Sequence, residues 1–205
     1  MLRIKQETIT TVLLRKLQRL VRGQIQVIDD SRRDQLFEVL PEINEVRGQR
    51  ILYVGACKDR HDFLPDFLAR GAKVTLVEVY EPYLKDVKEL FKPTLAEAHL
   101  SDILGWMKKE QPNKVFDGIF WWHGPEHVPT VYFEECLELM EKACKGWICL
   151  GFPWGKSPQD HIDGNKWQRH QSTLYTDIPK KYGFEVSTVG KPDQLGSSIT
   201  AIKHM

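Results

Sequence analysis

Short apolar runs alternate with amphipathic stretches from residue 50 onward. Five of these runs are rich in β-branched and aromatic residues, as is typical of buried strands, and they span residues 50–56, 73–79, 95–100, 116–122 and 146–151. The stretches between them predict helices over residues 62–70, 82–90 and 131–142 and a short helix through 106–108. Strands that alternate with helices in this way predict a parallel sheet with right-handed crossovers and helices on both faces.

The end of the chain follows a different pattern. Apolar runs at residues 184–189 and 198–202 are joined by a short turn, so the two strands that they predict are antiparallel. We therefore expect an α/β fold: a Rossmann-like, doubly wound, seven-stranded sheet, mostly parallel with a C-terminal antiparallel hairpin, preceded by N-terminal helices.

A long polar stretch, residues 153–173, separates the fifth predicted strand from this hairpin. A connection of that length in a compact domain is usually functional or disordered. Because the stretch contains Trp154 and Trp167, one interpretation is an amphipathic lid over a small organic substrate. The other interpretation is a surface loop anchored by its tryptophans.

The first 49 residues have a helical pattern. Apolar residues recur at helical spacing over residues 9–21 and again over 31–43, where Ser31 is the expected N-cap. This predicts an N-terminal helical extension over residues 1–49 and a Rossmann-like domain over 50–205. The first helix has a basic face, which suggests either a contact with nucleic acid or lipid or, as we favour, a solvated face. These helices are also a possible homodimer element.

The composition narrows the range of partners. The chain has 205 residues, with 29 Lys and Arg against 28 Asp and Glu, so its formal net charge is +1. A balance this even gives no field that attracts nucleic acid or an acidic membrane.

No uncharged apolar run approaches the ~20 residues of a membrane helix, and the N-terminus lacks the apolar core of a signal peptide. The four cysteines form no CxxC pair. We expect a cytoplasmic protein with reduced thiols that binds a small molecule, with no nucleic acid and no membrane as partner.

Ligands of such sheets bind beyond the carboxyl ends of the strands, so the residues there are the candidates for binding. The first strand ends at Gly55, followed by Ala56 and Cys57, where small residues let a ligand approach the backbone. The second strand ends at Glu78 and Val79, and Glu78 comes 23 residues after Gly55. An acid at this spacing can accept both hydroxyls of a ribose. The alternative is an exposed acid or a helix cap.

The third and fourth strands add further candidates. Ser101, Asp102 and Ile103 follow the third strand, and Asp102 is either an acceptor for the amine of an adenine or the N-cap of the next helix. Trp121 and Trp122 end the fourth strand and point to opposite faces. We expect one of them in the core and the other stacked on a flat ligand or lining a substrate pocket. Together, the ends of these strands predict a binding site for an adenosine.

Three histidines are candidate general bases, since histidine titrates near neutral pH. His123 and His127 follow the fourth strand, and His170 lies in the long polar stretch. His123 is preferred by position, and surface or structural roles remain the alternative for each. The set of His123, Glu126 and His127 is also conceivable as metal ligands on one helix face. The Gly-Pro pair between the histidines disfavours a helix there, so no metal site is predicted.

These motifs resemble those of the class I S-adenosylmethionine-dependent methyltransferases. Residues 51–56 are similar to the first motif of that family, Val77 and Glu78 to its ribose-binding acid, residues 101–103 to its adenine-binding acid, and residues 116–119 to its fourth-strand motif. The family has a seven-stranded sheet with a terminal antiparallel hairpin. Its usual second glycine after the first strand is replaced here by Cys57.

The resemblance implies a methyltransferase that uses S-adenosyl-L-methionine as its cofactor. The residues expected to bind the cofactor are Gly55, Ala56, Cys57, Glu78, Val79, Ser101, Asp102, Ile103, Trp121 and Trp122. Residues 122–125 lack the Asn/Asp-Pro-Pro-aromatic tetrad of many amino-group methylases, which modestly favours an oxygen acceptor on a small molecule. Two alternatives stay open: a degenerate Rossmann-like module that binds without catalysis, and a nicotinamide-binding enzyme.

Overall fold

A seven-stranded sheet forms the centre of the computed structural model, which describes residues 35–56, 63–91, 94–162 and 164–205. The strand order is β3-β2-β1-β4-β5-β7-β6, in which β1 to β5 are parallel and β7 is antiparallel to both of its neighbours. The strands are β1 Arg50–Val54, β2 Lys73–Glu78, β3 Glu97–Leu100, β4 Phe116–Trp122, β5 Cys144–Pro153, β6 Glu185–Val189 and β7 Ser198–His204. This order and the terminal antiparallel pair confirm the predicted fold class.

Helices connect the strands and cover both faces of the sheet. They are α1 Leu64–Ala69, α2 Glu81–Phe91, α3 Ile103–Glu110, α4 Thr130–Ala143 and α5 Asp177–Lys181. Residues 35–39 are also helical, and short 3-10 segments span Pro41–Glu45, Pro125–His127 and Lys166–Gln168. Helix α5 does not follow from the sequence pattern, because five residues that include Pro179 are too short to show helical periodicity. None of the described helices combines the length and the apolarity that a bilayer crossing requires.

Alternation along the central strands creates two apolar layers. Leu52 and Val54 of β1 face α3 and α4 on one side, while Ile51 and Tyr53 face α1 and α2 on the other. The central strands are buried on both faces, as parallel strands between helices must be, and their sequences are therefore continuous apolar runs. This burial is the reason why the strands are recognisable in the sequence.

The segment that precedes β1 belongs to the second of these layers. Leu36, Leu40, Ile43 and Val46 have no exposed surface and pack in the same cluster as α1 and α2. The first predicted helix, the predicted cap Ser31 and the candidate Cys57 lie outside the described residues. The predicted division at residue 49 stays a prediction, although residues 36–46 share the core of the sheet.

The order of the strands places a crevice at one edge of the sheet. The chain winds outward from β1 to β2 and β3 on one side and from β4 to β5 on the other, so the switch point lies between β1 and β4. The segments that follow β1, β2, β4 and β5 all start at the carboxyl edge. The long polar stretch, residues 153–173, is the segment that follows β5. Isolated antiparallel β-bridges pair Gly155 with Leu174 and Ile162 with Asn165.

Candidate functional site

Glu78 joins the end of β2 to the turn after β1. Its Oε2 accepts a hydrogen bond from the backbone N–H of Ala56 at 2.8 Å, and its Oε1 accepts one from the N–H of Tyr80 at 2.7 Å. The residue is only 5% exposed. The N–H of Gly55 donates to the carbonyl of Val77 at 2.8 Å, which keeps the two strand ends together. The acid and the glycine turn predicted for a ribose site are therefore adjacent in space.

The turn after β1 has room for a ligand beside Gly55. Gly55 has a φ of +75°, which favours glycine, and a Cβ added there meets no atom within 4 Å among the described residues. Ala56 is buried beside this turn, and Val79 is half-buried. The turn after β1 thus faces open space in the described part of the chain, with the carboxyl group of Glu78 beside it.

Asp102 caps helix α3. Its Oδ1 accepts a hydrogen bond from the N–H of Gly105 at 2.8 Å, while Asp102 itself is exposed. Ser101 continues the ladder by donating from its N–H to the carbonyl of Glu78 at 3.0 Å, and Ile103 is buried in the core. The structure thus shows that Asp102 is the N-cap of helix α3, which is one of the two roles that the sequence suggests. The role of Asp102 as an adenine acceptor stays a prediction.

The two tryptophans at the end of β4 pack on opposite faces of the sheet, as predicted. Trp121 lies in the layer of α4, and Trp122 stacks on Phe120 in the other layer. Glycines make room for both rings. A Cβ on Gly124 would lie 2.0 Å from Trp121, and one on Gly151 would lie 2.1 Å from Trp122. Both rings are buried, at 2% and 8% exposure, so the contact of either one with a ligand stays a prediction.

His123 follows β4 in a left-handed backbone conformation. Its φ is +50°, which is uncommon for a residue other than glycine and costs about 1 kcal/mol. The N–H of His123 donates to the carbonyl of Gly151 at 2.8 Å, and its Nδ1 lies 3.3 Å from Oε1 of Glu126. The side chain is 29% exposed. The turn therefore presents an imidazole that a carboxylate orients.

Glu126 is the centre of a cluster of three histidines. The residue is 3% exposed and lies in the 3-10 segment Pro125–His127. His170 comes from the long polar stretch, and its Nε2 lies 4.0 Å from Oε1 of Glu126. The ring of His127 packs edge-on against that of His170, with the centroids 4.9 Å apart. We call His123, Glu126, His127 and His170 the histidine cluster.

Backbone carbonyls fix two of these imidazoles. Nδ1 of His127 lies 3.2 Å from the carbonyl oxygen of Arg169, and Nδ1 of His170 bonds the carbonyl oxygen of Ser157. A carbonyl oxygen only accepts, so Nδ1 must carry the proton in both rings. When these imidazoles are neutral, Nε2 is the nitrogen with a free lone pair.

Charges in the histidine cluster influence one another. Burial by itself raises the pKa of Glu126, but the hydrogen bond with His123 and the charges of His123 and His127 outweigh burial and lower that pKa. Burial also lowers the pKa of His127, against the opposing effect of Glu126. His123 thus favours the carboxylate form of Glu126, whereas burial favours the uncharged form of His127.

The structure thus brings together all three histidines that the sequence singles out, but in a way that the sequence does not show. In the sequence, Glu126 is recognisable only as a neighbour of His123 and His127. In the structure, Glu126 also lies beside His170, which is 44 residues further along the chain. The carbonyls of Ser157 and Arg169 are absent from the sequence-based candidates. No sequence signal marks a carbonyl for this role, because every residue has one.

Solved structures of methyltransferases share this fold. The sequence itself matches no protein-family model and no curated protein. An S-adenosylmethionine-dependent methyltransferase from Archaeoglobus fulgidus aligns with a TM-score of 0.59 and 20% identity, over 85% of this chain and 94% of its own. The N-methyltransferase NodS from Bradyrhizobium japonicum gives a TM-score of 0.62 and 14% identity, over 86% and 96%.

Another similar structure contains ligands. It is 1,6-didemethyltoxoflavin-N1-methyltransferase from Burkholderia thailandensis, with 1,6-didemethyltoxoflavin and S-adenosylhomocysteine bound. The TM-score is 0.58 and the identity 14%, over 93% of this chain and 89% of that one. At these identities the likeness concerns the fold. The chain therefore has the fold of the class I S-adenosylmethionine-dependent methyltransferases.

Proposed function

We propose that the protein is an S-adenosylmethionine-dependent methyltransferase that acts on a small-molecule acceptor, with an oxygen acceptor modestly favoured. The single observation that carries this proposal is the position of Glu78, whose buried carboxylate bonds the turn after β1 at the carboxyl edge of the sheet. A ribose bound over this turn would find the oxygens of Glu78 as acceptors for its two hydroxyls.

The cofactor site that we propose extends from this carboxylate. Gly55 and Ala56 form the floor under the amino-acid part of the cofactor, and Ser101, Asp102 and Ile103 contact the adenine. Open space beside Gly55 among the described residues supports this assignment. The bound S-adenosylhomocysteine in the Burkholderia enzyme supports it as well, because that enzyme has the same fold. Cys57, Val79, Trp121 and Trp122 remain candidates for further contacts.

His123 is the general base that we propose. Methyl transfer is an in-line displacement, for which the protein aligns donor and acceptor, and an oxygen acceptor must also lose a proton. His123 has a carboxylate partner on Nδ1 and is more exposed than His170, whose side chain is 10% exposed. Glu126 orients His123 through this contact, as a positioning residue. His127 and His170 are the second and third candidates for the base.

Calorimetry with Glu78 variants tests the cofactor. We expect S-adenosylmethionine and S-adenosylhomocysteine to bind saturably and NAD not to bind. The Glu78→Gln variant should bind S-adenosylhomocysteine about 10- to 100-fold more weakly, because it loses charged hydrogen bonds worth about 1.5–3 kcal/mol each. Glu97→Gln is the control, since Glu97 is exposed at the start of the neighbouring strand β3. It should leave the affinity unchanged.

The melting temperature of each variant separates a binding role of Glu78 from a purely structural one. If Glu78 only ties the turn after β1 to β2, Glu78→Gln will melt earlier and still bind S-adenosylhomocysteine as tightly as the wild-type protein. That result would remove the ribose assignment. Saturable binding of NAD alone would favour the nicotinamide-binding alternative, and binding of none of these ligands would favour the non-catalytic module.

The rate at which S-adenosylhomocysteine is formed measures turnover and tests His123 as the general base. Once a panel of small hydroxylated acceptors identifies a substrate, His123→Asn should lower kcat by about 10²- to 10⁴-fold and leave the affinity for S-adenosylmethionine unchanged. The matched variant is His161→Asn, at an exposed histidine of the long polar stretch. An unchanged kcat in His123→Asn contradicts the assignment.

A further inference from the structure

We propose that Glu126, His127 and His170 form a binding site for a divalent transition-metal ion, with zinc as the type ion. Each of the three side chains offers one ligand atom, and these atoms lie within 4.8 Å of one another. Two imidazole nitrogens and one carboxylate oxygen are an established donor set for zinc and neighbouring metals. The site is not expected from the sequence, and it differs from the set of His123, Glu126 and His127 that the spacing suggests.

The carboxylate is the first argument for this site. Oε2 of Glu126 is buried and has no hydrogen-bond partner among the described residues, whereas Oε1 faces His123 and His170. A buried carboxyl oxygen without a hydrogen-bond partner is costly, and proteins rarely leave one in that state. A cation beside Oε2 supplies the missing partner.

The imidazoles are the second and independent argument. Histidines that bind a metal almost always donate their other ring N–H to a carbonyl or a carboxylate. Both His127 and His170 do this, through Nδ1 to the carbonyls of Arg169 and Ser157. Each Nε2 therefore has its lone pair free for a ligand, and two carbonyls hold both rings in that tautomer.

The size of the cluster fits a metal ion after a small contraction. A tetrahedral zinc site with bonds of about 2.1 Å has its ligand atoms about 3.4 Å apart, so the widest pair here has to close by at most about 1.4 Å. Three protein ligands leave further coordination positions, which water or an oxygen atom of a bound molecule can take.

Metal titration of the tag-free, EDTA-treated full chain tests the site. Calorimetry should show one equivalent of Zn²⁺, and Co²⁺ should develop the visible absorption bands of an ion held by nitrogen and oxygen ligands. Glu126→Gln, His127→Ala and His170→Ala should each weaken Zn²⁺ binding by more than about tenfold, because the two alanine variants remove a ligand, Glu126→Gln removes the charge of one, and even the loss of an outer partner costs 10- to 100-fold. His161→Ala, at the exposed histidine beside Asp160, should bind like the wild-type protein.

Circular dichroism of the metal-free variants checks that each one is folded, and Glu126→Gln, which keeps the size of the side chain, is the mildest of them. Zn²⁺ should raise the melting temperature of the wild-type chain and of His161→Ala but not that of Glu126→Gln. Two results overturn the proposal. One is that neither Zn²⁺ nor Co²⁺ binds saturably, and the other is that His161→Ala lowers the affinity for Zn²⁺ as much as the three ligand variants do. All titrations omit adenosyl ligands, so their outcome is separate from that of the proposed methyl transfer.

Discussion

At the scale of single residues, several carboxylates of this protein serve as acceptors for backbone N–H groups. Glu78 accepts from Ala56 and Tyr80, and Asp102 accepts from Gly105. Asp117 on β4 accepts at 2.8 Å from the N–H of Arg50, and its other oxygen lies 3.0 Å from the ammonium of Lys145. Asp117 therefore connects the beginnings of three adjacent strands.

The contacts of Asp117 predict a dependence of stability on pH. Burial by itself raises the pKa of Asp117, but the hydrogen bond from Arg50 and the interaction with Lys145 outweigh it, so the pKa is lowered. A lowered pKa in the folded state gives stability that is present above the pKa of the unfolded state, near 4, and is lost as the pH falls through the folded value.

The variant Asp117→Asn measures this contribution. Because the side chain is partly exposed and solvent screens the pair, we expect the free energy of unfolding to fall by only about 0.5–1 kcal/mol at pH 7. The difference should shrink as the pH falls from about 4, near the pKa of the unfolded state, through the lower pKa of Asp117 in the folded state. Urea denaturation at several pH values provides the measurement, with Asp160→Asn as the control at a carboxylate that is 86% exposed. A difference that stays the same at all pH values contradicts the assigned cause.

At the scale of elements, the ends of strands and helices determine which groups reach the crevice. Helix α3 begins directly after β3, and Asp102 is both its N-cap and the predicted adenine acceptor. Capping fixes the carboxylate at the carboxyl edge, so the structural role and the proposed binding role are compatible. The turn after β4 also places a polar group. Trp121 packs against Gly124, and the next residues form the segment that carries Glu126.

Two substitutions separate the roles of Asp102. Asp102→Ala removes the cap and should lower the free energy of unfolding by about 1 kcal/mol, whereas Asp102→Asn retains a capping oxygen and should be nearly neutral. If the carboxylate also accepts the amine of an adenine, both variants should bind S-adenosylhomocysteine more weakly, because an amide oxygen without charge is the weaker acceptor. Thermal denaturation and calorimetry give the two readouts. Full affinity in Asp102→Asn contradicts the need for a charge there.

At the scale of the whole molecule, the apolar layers on the two faces of the sheet include parts of the chain that are far apart in sequence. The layer with α1 and α2 also contains Leu36, Leu40, Ile43 and Val46, none of which has exposed surface. Burial of each such side chain is worth about 1.5–3 kcal/mol. Their loss would remove most of the about 5–15 kcal/mol by which a typical domain is stable.

Two truncated chains test this contribution. A chain of residues 50–205 should be less stable than a chain of residues 35–205 by at least about 4 kcal/mol, or should fail to fold, because it exposes the surface that these four side chains cover. Urea denaturation followed by circular dichroism gives the comparison. Ile43→Ala in the full chain should cost about 2–5 kcal/mol and serves as the matched point variant. Equal stability of the two truncated chains would show that residues 35–49 do not contribute to the stability of the sheet.

The sequence by itself determined the order of the seven strands and of the helices α1 to α4, and hence the fold class. It could do so because each central strand is a local, continuous apolar run, such as residues 51–54, and because Gly55 and Glu78 stand at predictable strand ends. Both signals depend only on neighbouring residues.

Only the tertiary structure decided which of the candidate residues meet. His170 reaches Glu126 because the chain after β5 returns over the end of β4, and no periodicity encodes such a return. The backbone carbonyls that fix His127 and His170 belong to residues whose side chains play no part. Contacts of this kind depend on long-range packing and on groups common to every residue, so a local pattern does not contain them.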